Sequence, residues 1–424
     1  MDADLVIRNG KVYSVNLDGE ESRGEAVAVS GGKIVAFGSD AEIERYISEN
    51  TEVIDARSNS ILPGFSDAHL HATFTASAVY TCNLFGIFPN ESNDKKEFIR
   101  RYQDEMRAYI AERPDDEMYR GTGWKLGYFG FAQEDMPTKF DLDEVCSDKP
   151  VVLESFCQHH IWVNSKALEI AGIDKDTPDP RNGNLWKNDQ GEPTGLLSEF
   201  SAMNIMKDNL PNYDLSVEKY KETLRQYQTE FANRYGVTLI FDALCTENGR
   251  EAYREMAADG ELTIRVAAHY YADPNDPETR IDEFIARKGA DDIPDSYKVV
   301  CVKFFMEGSG LDFYLGEPYE AECLKAAGLP ADYRGNPYWT AEELECWFTR
   351  LNEAGFQLHT HAMGDESVTH TIDAYEYAYN KTGKKPRNVI AHLMLVKDSD
   401  FARMGELGIV GCVQPTWMSN EPVM

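Results

Sequence analysis

From about residue 230 to residue 414 the chain alternates apolar runs of strand length with amphipathic runs of helix length, and this rhythm constrains the fold most. Residues 237–243, 263–270, 298–306, 356–362, 388–393 and 409–414 read as strands. One intervening helix opens at Thr340 with Glu343 three residues on, the signature of a capping box. Its apolar stripe is Leu344, Trp347, Phe348 and Leu351, and Gly355 ends it. The next helix carries Val368, Ile372, Tyr375 and Tyr379 at helical spacing. Strands joined through helices run parallel, which predicts an α/β fold with a parallel sheet inside and helices outside.

The first sixty residues follow a different rule. Apolar runs at 4–8 and 11–15 flank Asn9-Gly10, and runs at 26–30 and 33–37 flank Gly31-Gly32. Both dipeptides tolerate the positive φ of tight hairpin turns, so residues 1–62 are expected to form a small β-sandwich unit. Residues 75–229 mix helices, a strand at 151–156 and a turn-rich stretch at 177–195. They read as an insertion over the mouth of a metal-binding domain made of residues 63–74 and 230–424.

Charge and cysteine usage exclude several classes of function. A formal net charge of -31 would repel nucleic acid and anionic membrane surfaces alike. No apolar run approaches the roughly 20 residues that a membrane helix needs. The N-terminal residues have no basic segment followed by an apolar one, so a cytoplasmic location is expected. The eight cysteines are scattered without a CxxC pair, which reads as reduced thiols rather than a zinc finger.

Four places in the chain carry candidate chemistry. In LPGFSDAHLH, His69 and His71 are two residues apart, so on a strand both point to one side and can share a divalent metal. Alone, such a pair is as readily structural. Lys303, His361 and His392 each sit late in a separate predicted strand. Taken singly, each histidine suits a core position and Lys303 a surface one. Together they fall where the strands of a (β/α)₈ barrel converge on an active site, an arrangement hard to reach by chance.

With these motifs in place, the chain resembles the amidohydrolase superfamily, and within it the amidohydrolases typified by N-substituted formamide deformylase. The resemblance runs along the whole chain, through LPGFSDAHLH, FCQHHIWVNSKALEIAGI, GEPTGLLSE, VKFFMEGS, HTHAMGD and VQPT. It implies a (β/α)₈ barrel of the TIM type, with the HxH pair on the first strand, Lys303 on the fourth, His361 on the fifth and His392 on the sixth. It also implies a divalent metal cofactor, zinc by expectation, as one or two ions. An ammonium cannot ligate a metal. Relatives often carry this lysine carboxylated, bridging two ions, with a metal-bound hydroxide attacking a carbon–nitrogen bond. Relatives place a DGH-like triplet before WVNS; here it reads Gln158-His159-His160, which puts His160 on the substrate carbonyl or leaving group. Glu307 stands where relatives usually show aspartate.

The expected partner is a small amide-type molecule. A cyclic-amide hydrolase or deaminase on the same scaffold is the nearest alternative. Relatives continue with an eighth strand bearing an aspartate in a GSD triplet, and none follows residue 414 here. The expectation is therefore a barrel without its last strand, with open edges that leave room for a homo-oligomer, or else a truncated and catalytically silent remnant. The aromatic residues Trp124, Tyr128, Phe129, Phe131, Trp162 and Trp186 would line a pocket or form the core of the insertion.

Overall fold

The computed structural model describes residues 2–15, 21–89, 94–130, 135–290 and 292–415. Two compact units are present, Met1–Ser66 with Gly236–Thr238, and Asp67–Tyr235 with Leu239–Met424.

The first unit holds β1 (Leu5–Arg8), β2 (Lys11–Val15), β3 (Glu21–Gly24), β4 (Ala26–Ser30), β5 (Lys33–Gly38), β6 (Glu52–Asp55) and β7 (Ser60–Ile61). They form a four-stranded sheet, β5-β4-β1-β6, and a three-stranded sheet, β3-β2-β7. The Gly31-Gly32 hairpin forms as expected, with both glycines at positive φ between antiparallel β4 and β5. The Asn9-Gly10 hairpin does not. Asn9 takes φ 54°, yet β1 pairs with β4 and β6 while β2 pairs with β3 and β7. The turn passes the chain from one sheet to the other, because each strand finds its partners far along the sequence. The chain's Gly38-Ser39-Asp40 triplet lies here, where Ser39 caps a short helix, Asp40–Ile43.

Next comes β8 (Phe65–Leu70), and then the strands of the inserted segment: β9 (Cys82–Asn83), β10 (Tyr119–Trp124), β11 (Val151–Ser155), β12 (His160–Val163), β13 (Asn184–Lys187) and β14 (Pro193–Ser198). The last six make one sheet, β13-β14-β12-β11-β10-β9. Trp124, Phe129 and Trp162 are fully buried against Tyr102 and Leu153, so these three aromatics are core. Phe131 lies outside the described residues.

The remaining strands are β15 (Val237–Asp242), β16 (Arg265–Tyr271), β17 (Tyr297–Phe305), β18 (Gln357–Ala362), β19 (Val389–His392) and β20 (Val410–Val413). With β8 they form a seven-stranded sheet, β20-β19-β18-β17-β16-β15-β8, parallel from β15 to β20. A helix follows each of β15 to β19, as the rhythm of the sequence requires. The helix Ala341–Glu353 has the expected capping box at Thr340 and Glu343, and buries Leu344, Trp347, Phe348 and Leu351. Such a cap is worth about 1 kcal/mol, and the buried stripe supplies the larger share of the helix's stability. The sheet curls until it is nearly closed. The ring of His69, on β8 at one edge, lies 4.9 Å from that of His392, on β19 beside the other.

Candidate metal centre

The parallel register sets the depth of each candidate ligand in the barrel. On β17, Cys301, Lys303 and Phe305 alternate onto one face, beside Gln357, His359 and His361 of β18 respectively. His392 ends β19 at φ 79° and Leu393 follows at φ 49°, a left-handed pair that L-residues rarely adopt. Strain of this kind gathers at functional sites, held by the structure around it.

The sequence-predicted histidines meet. Ring centroids of His69 and His71 are 5.0 Å apart, His69 and His392 4.9 Å, and His361 and His392 4.5 Å. Lys303 is fully buried within hydrogen-bonding layers that offer it nothing. Its Nζ lies 4.8 Å from the centre of the Phe305 ring but has no hydrogen-bond partner among the described residues, and neither do His69 Nε2, His71 Nδ1 and His361 Nε2. Each orphaned polar atom costs on the order of 1–3 kcal/mol unless a ligand satisfies it. His392 is oriented differently. Its Nδ1 pairs with Gln414 Oε1 at 2.8 Å, which puts the ring's proton on Nδ1.

Electrostatics favour a cation over protons. Burial, reinforced by the neighbouring Lys303, drives His71 down to about 3 and His392 to about 2, and holds His69 and His361 far below the usual imidazole range. Burial also brings Lys303 down to about 7. The group therefore presents neutral imidazole lone pairs around a lysine poised to lose its charge. Nitrogen donors of this kind suit a divalent transition metal, so the residues fit the cofactor that the sequence suggests.

Above this floor opens a cavity of about 2150 Å³ reached by His71, His361 and His392. Its walls include the aromatic residues Phe85, Phe88, Phe156, Tyr128 and Trp186. His159 and His160 line it too. His160 on β12 is paired in register with Ser198 on β14, and its Nδ1 lies 2.9 Å from Ser198 Oγ. Burial pushes it down to about 4.

Sequence reasoning missed the residue on either side of that pair. His159 Nδ1 lies 2.7 Å from Glu199 Oε2, and the His159 ring is 5.9 Å from that of His361. The other Glu199 oxygen accepts from the backbone N–H and hydroxyl of Ser309, both at 3.0 Å. Burial alone would raise the Glu199 carboxyl, but the His159 ring and these donors outweigh it and hold the group near 2. Glu199 also sits at φ 67°, in the left-handed region like His392. His359 and His269 were missed as well, although His359 stands two residues before His361. The same-face rule applied to His69 and His71 would have found it.

Comparisons with known proteins show the family and the fold. Residues 52–423 match the model of the amidohydrolase family. The N-substituted formamide deformylase of Arthrobacter pascens is 25% identical over 422 residues, covering 96% of this chain and 72% of that protein. The putative amidohydrolase YtcJ of Bacillus subtilis is 26% identical over 427 residues, covering 97% of this chain and 73% of that one. The crystal structure of an uncharacterized metal-dependent hydrolase from Pyrococcus horikoshii shares the fold, with a TM-score of 0.68 at 22% identity over 97% of this chain and 75% of its own. The match spans the HxH pair, Lys303, His361 and His392 together, and by it the chain belongs to the amidohydrolase family and is a metal-dependent hydrolase.

Proposed function

We propose that this protein hydrolyses an amide or N-substituted formamide, with His69, His71, Lys303, His361 and His392 holding one or two zinc ions. The observation that carries the reading is the group of buried nitrogens without hydrogen-bond partners on His69, His71, His361 and Lys303, of which His71 and His361 line the cavity. Zinc bound there would activate water near neutral pH and polarise the substrate carbonyl. Lys303, kept close to neutral by burial, takes up carbon dioxide as the free amine and releases a proton, giving a carbamate whose two oxygens share one negative charge. His159 donates through Nδ1 to Glu199, which leaves Nε2 to exchange a proton with the substrate. His160, tied to Ser198 on the same wall, holds the carbonyl or leaving group. The aromatic walls receive an apolar substituent on nitrogen. Eight free cysteines support a reducing compartment such as the cytoplasm.

The test joins metal analysis to an amide panel. Zinc-loaded protein should release formate or another carboxylate from N-substituted amides with apolar substituents, and a chelator should abolish this. His361→Ala should lose both metal and turnover. Full zinc retention in that variant would overturn the site, and turnover unaffected by chelation would overturn the chemistry.

A further inference from the structure

We propose that His359 is a positioning residue for His69, accepting its Nδ1 proton and so presenting Nε2 to a metal; this rests on the ligand role given to His69 above. The two rings lie 4.9 Å apart, and His69 Nδ1 is 2.8 Å from His359 Nε2, so one proton lies between the two nitrogens. A neutral imidazole that coordinates through one nitrogen carries its proton on the other. Since His69 Nε2 is the buried nitrogen without a partner, coordination there places the proton on Nδ1 and makes His359 Nε2 the acceptor. His359 is 1% exposed and stands beside Lys303 in the sheet register, one same-face position before His361 on β18.

Ligating histidines are usually backed by a carboxylate or a backbone carbonyl. Here the acceptor is a second imidazole, which fixes direction without adding negative charge to the barrel floor. The chain of rings continues downward. His269 lies 4.9 Å from His359, and one donor atom from each of His269, Cys301 and His359 falls within 4.8 Å of the others. Both ring nitrogens of His269 are buried without partners among the described residues. Three such side chains resemble a second metal site, but the bond to His69 argues against it. A neutral His359 that accepts at Nε2 carries its proton on Nδ1, so neither nitrogen has a lone pair left for a cation. The His269 ring instead packs against that of His359.

The test compares zinc affinity by chelator competition, and the visible spectrum of the cobalt-substituted protein, in the full chain and four variants. His359→Met keeps the volume and removes the acceptor, and zinc binding should weaken about 10- to 100-fold. His359→Gln offers an amide oxygen, and should stay within a few-fold of the parent with an unchanged cobalt spectrum. Parent-like affinity in His359→Met, or equal loss in the two variants, would overturn the proposal. If His359→Met does not fold, a folded His359→Gln with an altered cobalt spectrum does the same. Loss of a zinc equivalent in Cys301→Ala would show a metal on the lower group and overturn it too. His69→Ala separates the two levels. Unchanged zinc affinity there refutes the ligand role of His69 itself, whereas loss in His69→Ala without loss in His359→Met refutes only the role of His359.

Discussion

Replacing Lys303 with methionine is expected to stabilise the metal-free protein while removing its metal. The lysine is fully buried and its Nζ has no hydrogen-bond partner among the described residues. Burial lowers it from 10.5 to about 7, and at roughly 1.4 kcal/mol per pH unit that drop is a penalty of about 5 kcal/mol. The sign follows from proton counting. Between about pH 7 and 10.5 the unfolded chain holds a proton on this lysine that the folded chain has lost, so stability rises with pH across that window. Below pH 7 the penalty is complete. Methionine keeps an unbranched apolar stem of similar reach and has nothing to desolvate. Denaturant melts of metal-free, carbon dioxide-depleted protein should therefore show Lys303→Met more stable than the parent by about 4–5 kcal/mol at pH 7. The gain should nearly vanish by pH 10.5, and zinc titration of the same samples should show its binding lost. A variant no more stable than the parent at pH 7, or a gain independent of pH, would refute the argument that the lysine is held there against its solvation for the sake of the metal.

Three further outcomes are expected. His159→Asn should lower kcat/KM by about 100-fold with zinc content unchanged, as loss of a proton-transfer group does, whereas His160→Asn should act mainly on KM; steady-state kinetics beside metal analysis checks both. Gly364→Ala should destabilise by at least 1–3 kcal/mol in thermal melts, because its Cβ would stand 2.2 Å from the Tyr314 carbonyl oxygen and 2.8 Å from Glu307 Oε2. Metal-free protein should lose stability as pH falls from 6.5 towards 3. The unfolded chain takes up protons there that buried His71 and His160, at about 3 and 4, refuse. His160 alone accounts for a loss on the order of 3 kcal/mol, which pH-dependent melts of His160→Asn should show removed.

The strand–helix rhythm after residue 230 and the stripe of Leu344, Trp347, Phe348 and Leu351 were legible from the sequence. Periodicity records which side of an element is dry, and that property is local. The HxH pair, Lys303, His361 and His392 were legible for a related reason, since strand alternation and position late in a strand suffice to place a side chain near a barrel mouth. Local pattern stops at pairing. Asn9-Gly10 carries a hairpin signal, but the partners of β1 and β2 lie elsewhere in the chain, and sheet pairing overrode the turn. His159 and Glu199 are forty residues apart, joined because β12 and β14 run antiparallel in one register. The direction of the His392 ring depends on a left-handed backbone that no side-chain pattern encodes. His359 lay in plain view beside His361, yet its partner could not be read from the chain. Only the curling of the sheet brings β8 across from β18, and a hydrogen bond of 2.8 Å between residues 290 positions apart is a property of that closure.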